Sequence, residues 1–159
     1  MEAINYIKGD ATAPGGEGNK IIAHVCNDIG NWGRGFVLAI SKRWPAPERE
    51  FKKWYRSSES FALGEVIFVQ VEKDCWVANM VGQHDIKRKG DRADKFPPIR
   101  YEAIEKALSK LAVFANNIKA SVHMPRIGVG LAGGTWDKIE PLIIQELAAK
   151  GIAVTVYDL

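Results

Sequence analysis

Two stretches of this chain run from an apolar strand pattern into a glycine loop and out into a helical pattern. The first is His24-Val25-Cys26-Asn27-Asp28-Ile29-Gly30-Asn31-Trp32-Gly33-Arg34-Gly35-Phe36. The second is Met124-Pro125-Arg126-Ile127-Gly128-Val129-Gly130-Leu131-Ala132-Gly133-Gly134-Thr135-Trp136. Residues 21–26, ahead of the first loop, are nearly continuously apolar and rich in β-branched side chains, the pattern of a strand buried on both faces. A strand that ends in glycine and restarts as a helix also aims free backbone N–H groups, and the positive end of the helix dipole, at one point. Two such junctions facing each other suit a diphosphate, so the loops alone predict a nucleotide-type ligand.

The rest of the chain fits the same architecture. Residues 4–7 read as a short strand ended by Lys8-Gly9-Asp10, and 14–19 as a loop. Residues 36–43 predict a helix with Phe36, Val37, Ala39 and Ile40 on one face. Pro45 and Pro47 break it, and a second short helix follows to Tyr55. Residues 66–71 and 76–81 predict a hairpin around Lys73-Asp74. Residues 83–95 read as a polar, basic loop. Pro97 and Pro98 open the clearest helix, with Ile104, Ala107, Leu108, Leu111 and Ala115 at helical spacing. Residues 121–124 predict a strand. Thr135 is the expected N-cap of the last helix, with Asp137 in its first turn. Pro141 is expected to set the first regular turn, leaving 136–140 irregular. Residues 152–157 predict the last strand. Six strands interleaved with four helices give an α/β sheet covered on both faces, read as one domain over 1–159. Ligands in such sheets bind beyond the carboxyl ends of the strands, where both loops and Asp10 fall.

Composition narrows the function. A net charge of +3 is too mild to argue a nucleic-acid partner. No run of 18 apolar residues exists, so no membrane helix is expected. The first residues lack a signal-peptide pattern. Cys26 and Cys75 form no disulfide framework, and a cytosolic (cytoplasmic) location is expected. His24 and Cys26 share one strand face, but His84, His123 and Cys75 lack metal-ligand spacing, so neither metal nor cofactor is expected.

At these residues the chain resembles a macrodomain, an ADP-ribose-binding module. Gly9-Asp10-Ala11-Thr12 is similar to the opening motif of that family, Asn27 through Val37 to its first phosphate loop, and Pro125-Arg126-Ile127-Gly128-Val129-Gly130-Leu131 to its second. The ending Val154-Thr155-Val156-Tyr157-Asp158-Leu159 resembles one subclass, which holds terminal ADP-ribose protein glycohydrolases and fungal ADP-ribose 1″-phosphate phosphatases. The resemblance implies a three-layer α/β/α fold on a mixed, mostly parallel six-stranded sheet. It implies that Asp10, beside Ala11, accepts from the adenine amino group. Gly30, Asn31, Trp32, Gly33, Arg34, Gly35, Phe36 and Val37 would wrap the diphosphate and distal ribose, as would Ile127 through Gly134, which include Ala132 and Gly133. Asn27 would hold the distal ribose, and Tyr157 and Leu159 would flank the adenine.

The chain departs from the subclass in two places. The glycohydrolases carry a nucleophilic lysine in the stretch that aligns with Gly82-Gln83-His84, where Gln83 is the nearest match. Their catalytic aspartate aligns near Ala132. Both parts of a covalent lysyl mechanism are therefore missing, unless Lys87 or Lys89 folds back. The first loop instead resembles the phosphatases, with His24, Cys26, Asn27, Gly30, Trp32 and Gly33 matching.

Each site residue also has a plainer reading. Asp10 suits an Asx turn. Asn27 suits a loop cap. Arg34 suits a solvent-facing position and Trp32 a packing lid. His24 reads either as a core histidine or as an acid–base group. Lys87, Arg88, Lys89, Arg92 and Lys95 read as a solvated loop or as a steering patch for acidic ligands.

The expected function is binding of ADP-ribose or an ADP-ribosylated molecule, with hydrolysis at the distal ribose assisted by His24 and Asn27. Two substrates compete: ADP-ribose 1″-phosphate, and an ADP-ribosylated macromolecule attacked by a water beside the diphosphate. A reader that binds without turnover is the non-enzyme alternative. A nucleic-acid-binding module using the loop 87–95 is the third; otherwise nucleic acid is expected only as an ADP-ribosylated substrate, and no membrane partner is expected.

Overall fold

The computed structural model describes residues 3–86 and 97–159. The elements run β1 (Asn5–Lys8), β2 (Lys20–Asn27), α1 (Phe36–Arg43), α2 (Ala46–Ser57), β3 (Val66–Glu72), β4 (Cys75–Gln83), α3 (Tyr101–Ile118), β5 (Ser121–Met124), α4 (Trp136–Glu146) and β6 (Val154–Asp158). One-turn 3-10 segments lie at Gly130–Ala132 and Ala148–Lys150. The six strands form one sheet in the order β1-β6-β5-β2-β4-β3. All neighbouring pairs are parallel except β3 with β4. Of the polar, basic stretch 83–95, residues 87–95 lie outside the described residues.

Alternation along β2 builds two cores. Ile21 and Ala23 face α3 and α4, where α3 lays down a stripe of Ile104, Ala107, Leu108 and Leu111, all fully buried. Ile22 and Cys26 face the other side and pack with Val37, Ile40 and Phe51 of α1 and α2. Burying each large aliphatic side chain contributes about 1.5–3 kcal/mol, so both faces of this central strand anchor the layers. No helix among the described residues is long and apolar enough to cross a membrane.

Three local expectations need correction. Helix α4 starts at Trp136 and carries Pro141 inside it. Residues 136–140 are helical because Thr135 O accepts from the N–H groups of Lys138 and Ile139, and because fully buried Ile139 and Ile143 pin the helix on both sides of the proline. Thr135 does stand at the N-cap, but its side chain makes no capping bond. The last strand begins at Val154, since Ile152 N–H is tied to Leu147 O at the end of the preceding helix. Gln83 belongs to β4 and not to the following loop.

That last residue is placed by a bulge. Cys26 pairs with Val81 and Asn27 with Gln83, so Gly82 is the extra residue. A side chain at Gly82 would meet Ile104 Cδ1 at 2.3 Å, so only glycine lets the bulge lie flat on α3. The bulge turns Gln83 toward the first glycine loop.

Candidate functional site

Strands β2 and β5 lie side by side, but the chain leaves them on opposite faces of the sheet, through α1 on one and α4 on the other. The crevice that opens there is where ligands of α/β sheets bind. Two adjoining clefts occupy it. One, of about 280 Å³, lies between His24, residues 34–37, Gln83 and the second loop, residues 125–130 with Ala132. The other, of about 270 Å³, lies between Asn27, residues 31–34, Gln83 and Ile86. Val25, Arg34, Val37 and Gln83 border both.

The first loop sorts its N–H groups into two sets. Those of Ile29 and Asn31 donate to Asn27 Oδ1, each at 3.1 Å, and that of Gly33 donates to Asn31 Oδ1 at 3.0 Å. Those of Arg34, Gly35, Phe36 and Val37 have no acceptor among the described residues, and the last two open α1. In the second loop Gly133 and Gly134 donate to Gly130 O and Gly128 O. The N–H groups of Gly128, Val129 and Gly130 are left without an acceptor among the described residues. Gly128 holds φ 77° with Ile139 and Ile99 packed against it, a position that only glycine fills without strain. The cleft is thus lined by outward backbone donors from both sides, and among the described residues no carboxylate borders either half.

The side chains divide differently from the sequence expectation. Asn27 is 5% exposed, and its Nδ2 donates to Asn31 O at 2.6 Å. Its carbonyl and one amide hydrogen therefore hold the loop, which leaves one hydrogen for a ligand. Trp32 is buried; its Nε1 donates to Ser41 Oγ at 2.8 Å and its ring meets Phe51. It clamps the loop onto α1 and α2. Arg34 is exposed and has no ion-pair partner among the described residues. Arg126, by contrast, is committed. It donates to both oxygens of Asp158, at 2.7 and 3.1 Å, and lies 5.2 Å from the ring centres of Tyr6 and Trp136. Trp136 Nε1 donates to Tyr6 Oη, which bonds Glu140. This cluster ties the second loop to the edge strand β1.

His24 is 2% exposed and borders the first cleft. Burial lowers its pKa to about 4, so the ring is neutral at pH 7 and has no proton to give a leaving group as an imidazolium. Its Nε2 lies 2.5 Å from Asn79 Oδ1. The ring is thus a core histidine whose partner is a side-chain amide and not a backbone group. His84, at the rim, bonds Asp28 Oδ2 through Nδ1 at 2.7 Å, while Gln83 borders both clefts.

Asp10, Ala11, Tyr157 and Leu159 border neither cleft. Asp10 Oδ1 accepts from the N–H and hydroxyl of Thr12, and these bonds, with Arg43 at 3.6 Å from Oδ2, hold its pKa below the ordinary range. The Asx turn is thus real, and beyond it Oδ2 of the half-exposed side chain faces Arg43. Tyr157 is buried, with its hydroxyl 2.7 Å from His123 Nδ1. Leu159 is fully exposed. Gly30 is packed under the Tyr55 ring, and Gly133 against Pro97. Leu131 contributes backbone to the short 3-10 turn. Sequence reasoning passed over Asn79. The signal was an amide inside the apolar strand Trp76-Val77-Ala78-Asn79-Met80-Val81.

The chain is similar to a protein of unknown function from Bacteroides thetaiotaomicron, at 57% identity and TM-score 0.94, over 99% of this chain and 98% of that one. It is similar to a macrodomain protein from Streptomyces coelicolor, at 53% identity and TM-score 0.86, over 99% of both. It is 33% identical, over 98% of its length, to the chromodomain-helicase-DNA-binding protein 1-like of Mus musculus, of which it spans only 18%. It is 25% identical, over 98% of its length and 99% of the relative's, to an ADP-ribose 1″-phosphate phosphatase of Lodderomyces elongisporus. No family model matches the chain.

Proposed function

The chain belongs to the macrodomain family, and from that premise we propose that its twin clefts bind ADP-ribose and that it hydrolyses an ADP-ribosyl derivative at the distal ribose. The observation that carries this reading is the convergence of unpaired N–H groups from Arg34 to Val37 and from Gly128 to Gly130 on one crevice. These donors suit a diphosphate, and they would also stabilise negative charge developing at a phosphate or leaving carboxylate. The adjoining cleft, bordered by Asn27 and Gln83, takes the distal ribose and the group attached to it. Asp10 would meet the adenine through Oδ2, the oxygen that faces Arg43, with Tyr157 and Leu159 beside it. The similarity to a fungal ADP-ribose 1″-phosphate phosphatase supports a phosphate as that attached group. Free, buried Cys26 and Cys75 support a cytosolic location.

A second reading is favoured by one observation: among the described residues, no carboxylate or lysine borders either cleft. A site whose described lining holds neither of these groups suits a reader that binds ADP-ribose and releases it unchanged. Calorimetric titration with ADP-ribose, beside turnover of ADP-ribose 1″-phosphate and of an ADP-ribosylated protein, separates the two. Binding with turnover supports the hydrolase and identifies its substrate. Binding without turnover supports the reader. No binding at millimolar ADP-ribose overturns both.

A further inference from the structure

The two adjoining clefts are equipped differently to meet an anion. The first has open backbone donors on both sides, from residues 34–37 and from 128–130. In the second, Asn31 and Gly33 spend their N–H groups inside the loop, on Asn27 Oδ1 and Asn31 Oδ1. Asn27 keeps one amide hydrogen, and Gln83 Nε2 already donates to Asp85 O at 2.9 Å. Among the described residues that border this second cleft, Arg34 is the charged one.

The loop presents that side chain on a fixed base. Trp32 is buried and bonded to Ser41, while Gly33 and Gly35 hold φ 77° and 84°, and a side chain at either would meet nothing within 4 Å. Arg34 is thus the one long side chain on an open segment. It is exposed, borders both clefts, and has no ion-pair partner among the described residues. Other basic side chains near the crevice are occupied. Arg43 donates to Thr12 and faces Asp10, Arg126 grips Asp158, and His84 bonds Asp28. Among the described residues no carboxylate borders either cleft to neutralise the Arg34 guanidinium.

We propose that Arg34 is the specificity-determining residue of the second cleft: its guanidinium recognises a phosphate carried by the distal ribose, and so favours ADP-ribose 1″-phosphate over ADP-ribosyl derivatives whose attached group is uncharged. A phosphate monoester carries about two negative charges at pH 7. The planar guanidinium offers paired N–H donors that match two of its oxygens. The diphosphate is served by the backbone donors of the first cleft, which leaves the side chain of Arg34 for the group beyond the ribose. Without Arg34, no described residue bordering the second cleft supplies a positive charge. This inference rests on the ADP-ribose reading above.

Calorimetry of the whole protein with three ligands tests it. They are ADP-ribose, its 1″-O-methyl derivative, and the analogue in which a methylene phosphonate, which is not hydrolysed, stands at the same carbon. The wild type is expected to bind the phosphonate about tenfold more tightly than the methyl derivative. Arg34→Gln is expected to abolish that preference and to leave the affinity for ADP-ribose within about twofold of wild type. Arg34→Lys is expected to keep part of the preference, because a point charge lacks the planar fork. Equal losses for all three ligands in Arg34→Gln would assign the side chain to the diphosphate or to the fold of the loop, and would overturn the proposal. A preference that survives in Arg34→Gln, or a wild type that shows none, overturns it as well. Failure of the wild type to bind ADP-ribose itself sinks instead the ligand reading on which the proposal rests.

Discussion

Asn27 does the work of a strut. Its side chain closes the first loop onto itself through three hydrogen bonds, to the N–H groups of Ile29 and Asn31 and to Asn31 O. Asn27→Ala leaves those three backbone groups to find water in a buried setting. A loss of about 1–3 kcal/mol is expected, read as a lower urea midpoint with an unchanged slope, together with weaker ADP-ribose binding by calorimetry. A variant with wild-type stability would show that water replaces the amide and that Asn27 is free for a ligand. Much of the residue-level assignment was legible: both glycine loops, with His24, Arg34 and Gln83, do meet at one crevice. Partner identity was not. Asn79 reaches His24 because β2 and β4 are in one particular register, and Arg43 reaches Asp10 across the chain from α1. A single sequence carries no register between strands that are distant along it.

At the scale of elements, the strands were legible because β2 and β4 are apolar on both faces and because turns flank them. Pro141 was misread because local chemistry argues against a proline in the second turn, whereas Ile139 and Ile143 hold the helix from the core side. The Gly82 bulge was invisible because it answers to Ile104, a residue of another element. Pro141 is exposed and contributes no core packing. Pro141→Ala restores a backbone donor toward the Asp137 carbonyl and relieves the ring's crowding there. It is expected to stabilise the protein by about 1–3 kcal/mol, checked by equilibrium denaturation. A destabilised variant would mean that the proline fixes the start of α4, and with it the second loop.

For the whole molecule, acid is the informative stress. Burial lowers the pKa of both His24 and His123 from 6.5 to about 4. Between those values the unfolded chain binds protons that the folded one refuses, so stability rises with pH across the window. The contribution is complete above pH 6.5 and is lost as pH falls toward 4. For the wholly buried His24 it is about 3 kcal/mol. Urea midpoints measured from pH 4 to 7 should climb, and His24→Gln should flatten the climb; a flat wild-type profile would contradict the buried neutral rings. The sheet order has a further consequence, for the timing of assembly. Strand β6 inserts between β1 and β5, yet it is the last of the six strands to leave the ribosome. Until it emerges, β1 has no neighbour to pair with and Arg126 has no Asp158 to grip. The hairpin and β2 can associate during translation, but the β1 edge that leads to Asp10, and the side of the crevice built from the anchored second loop, must be completed after it.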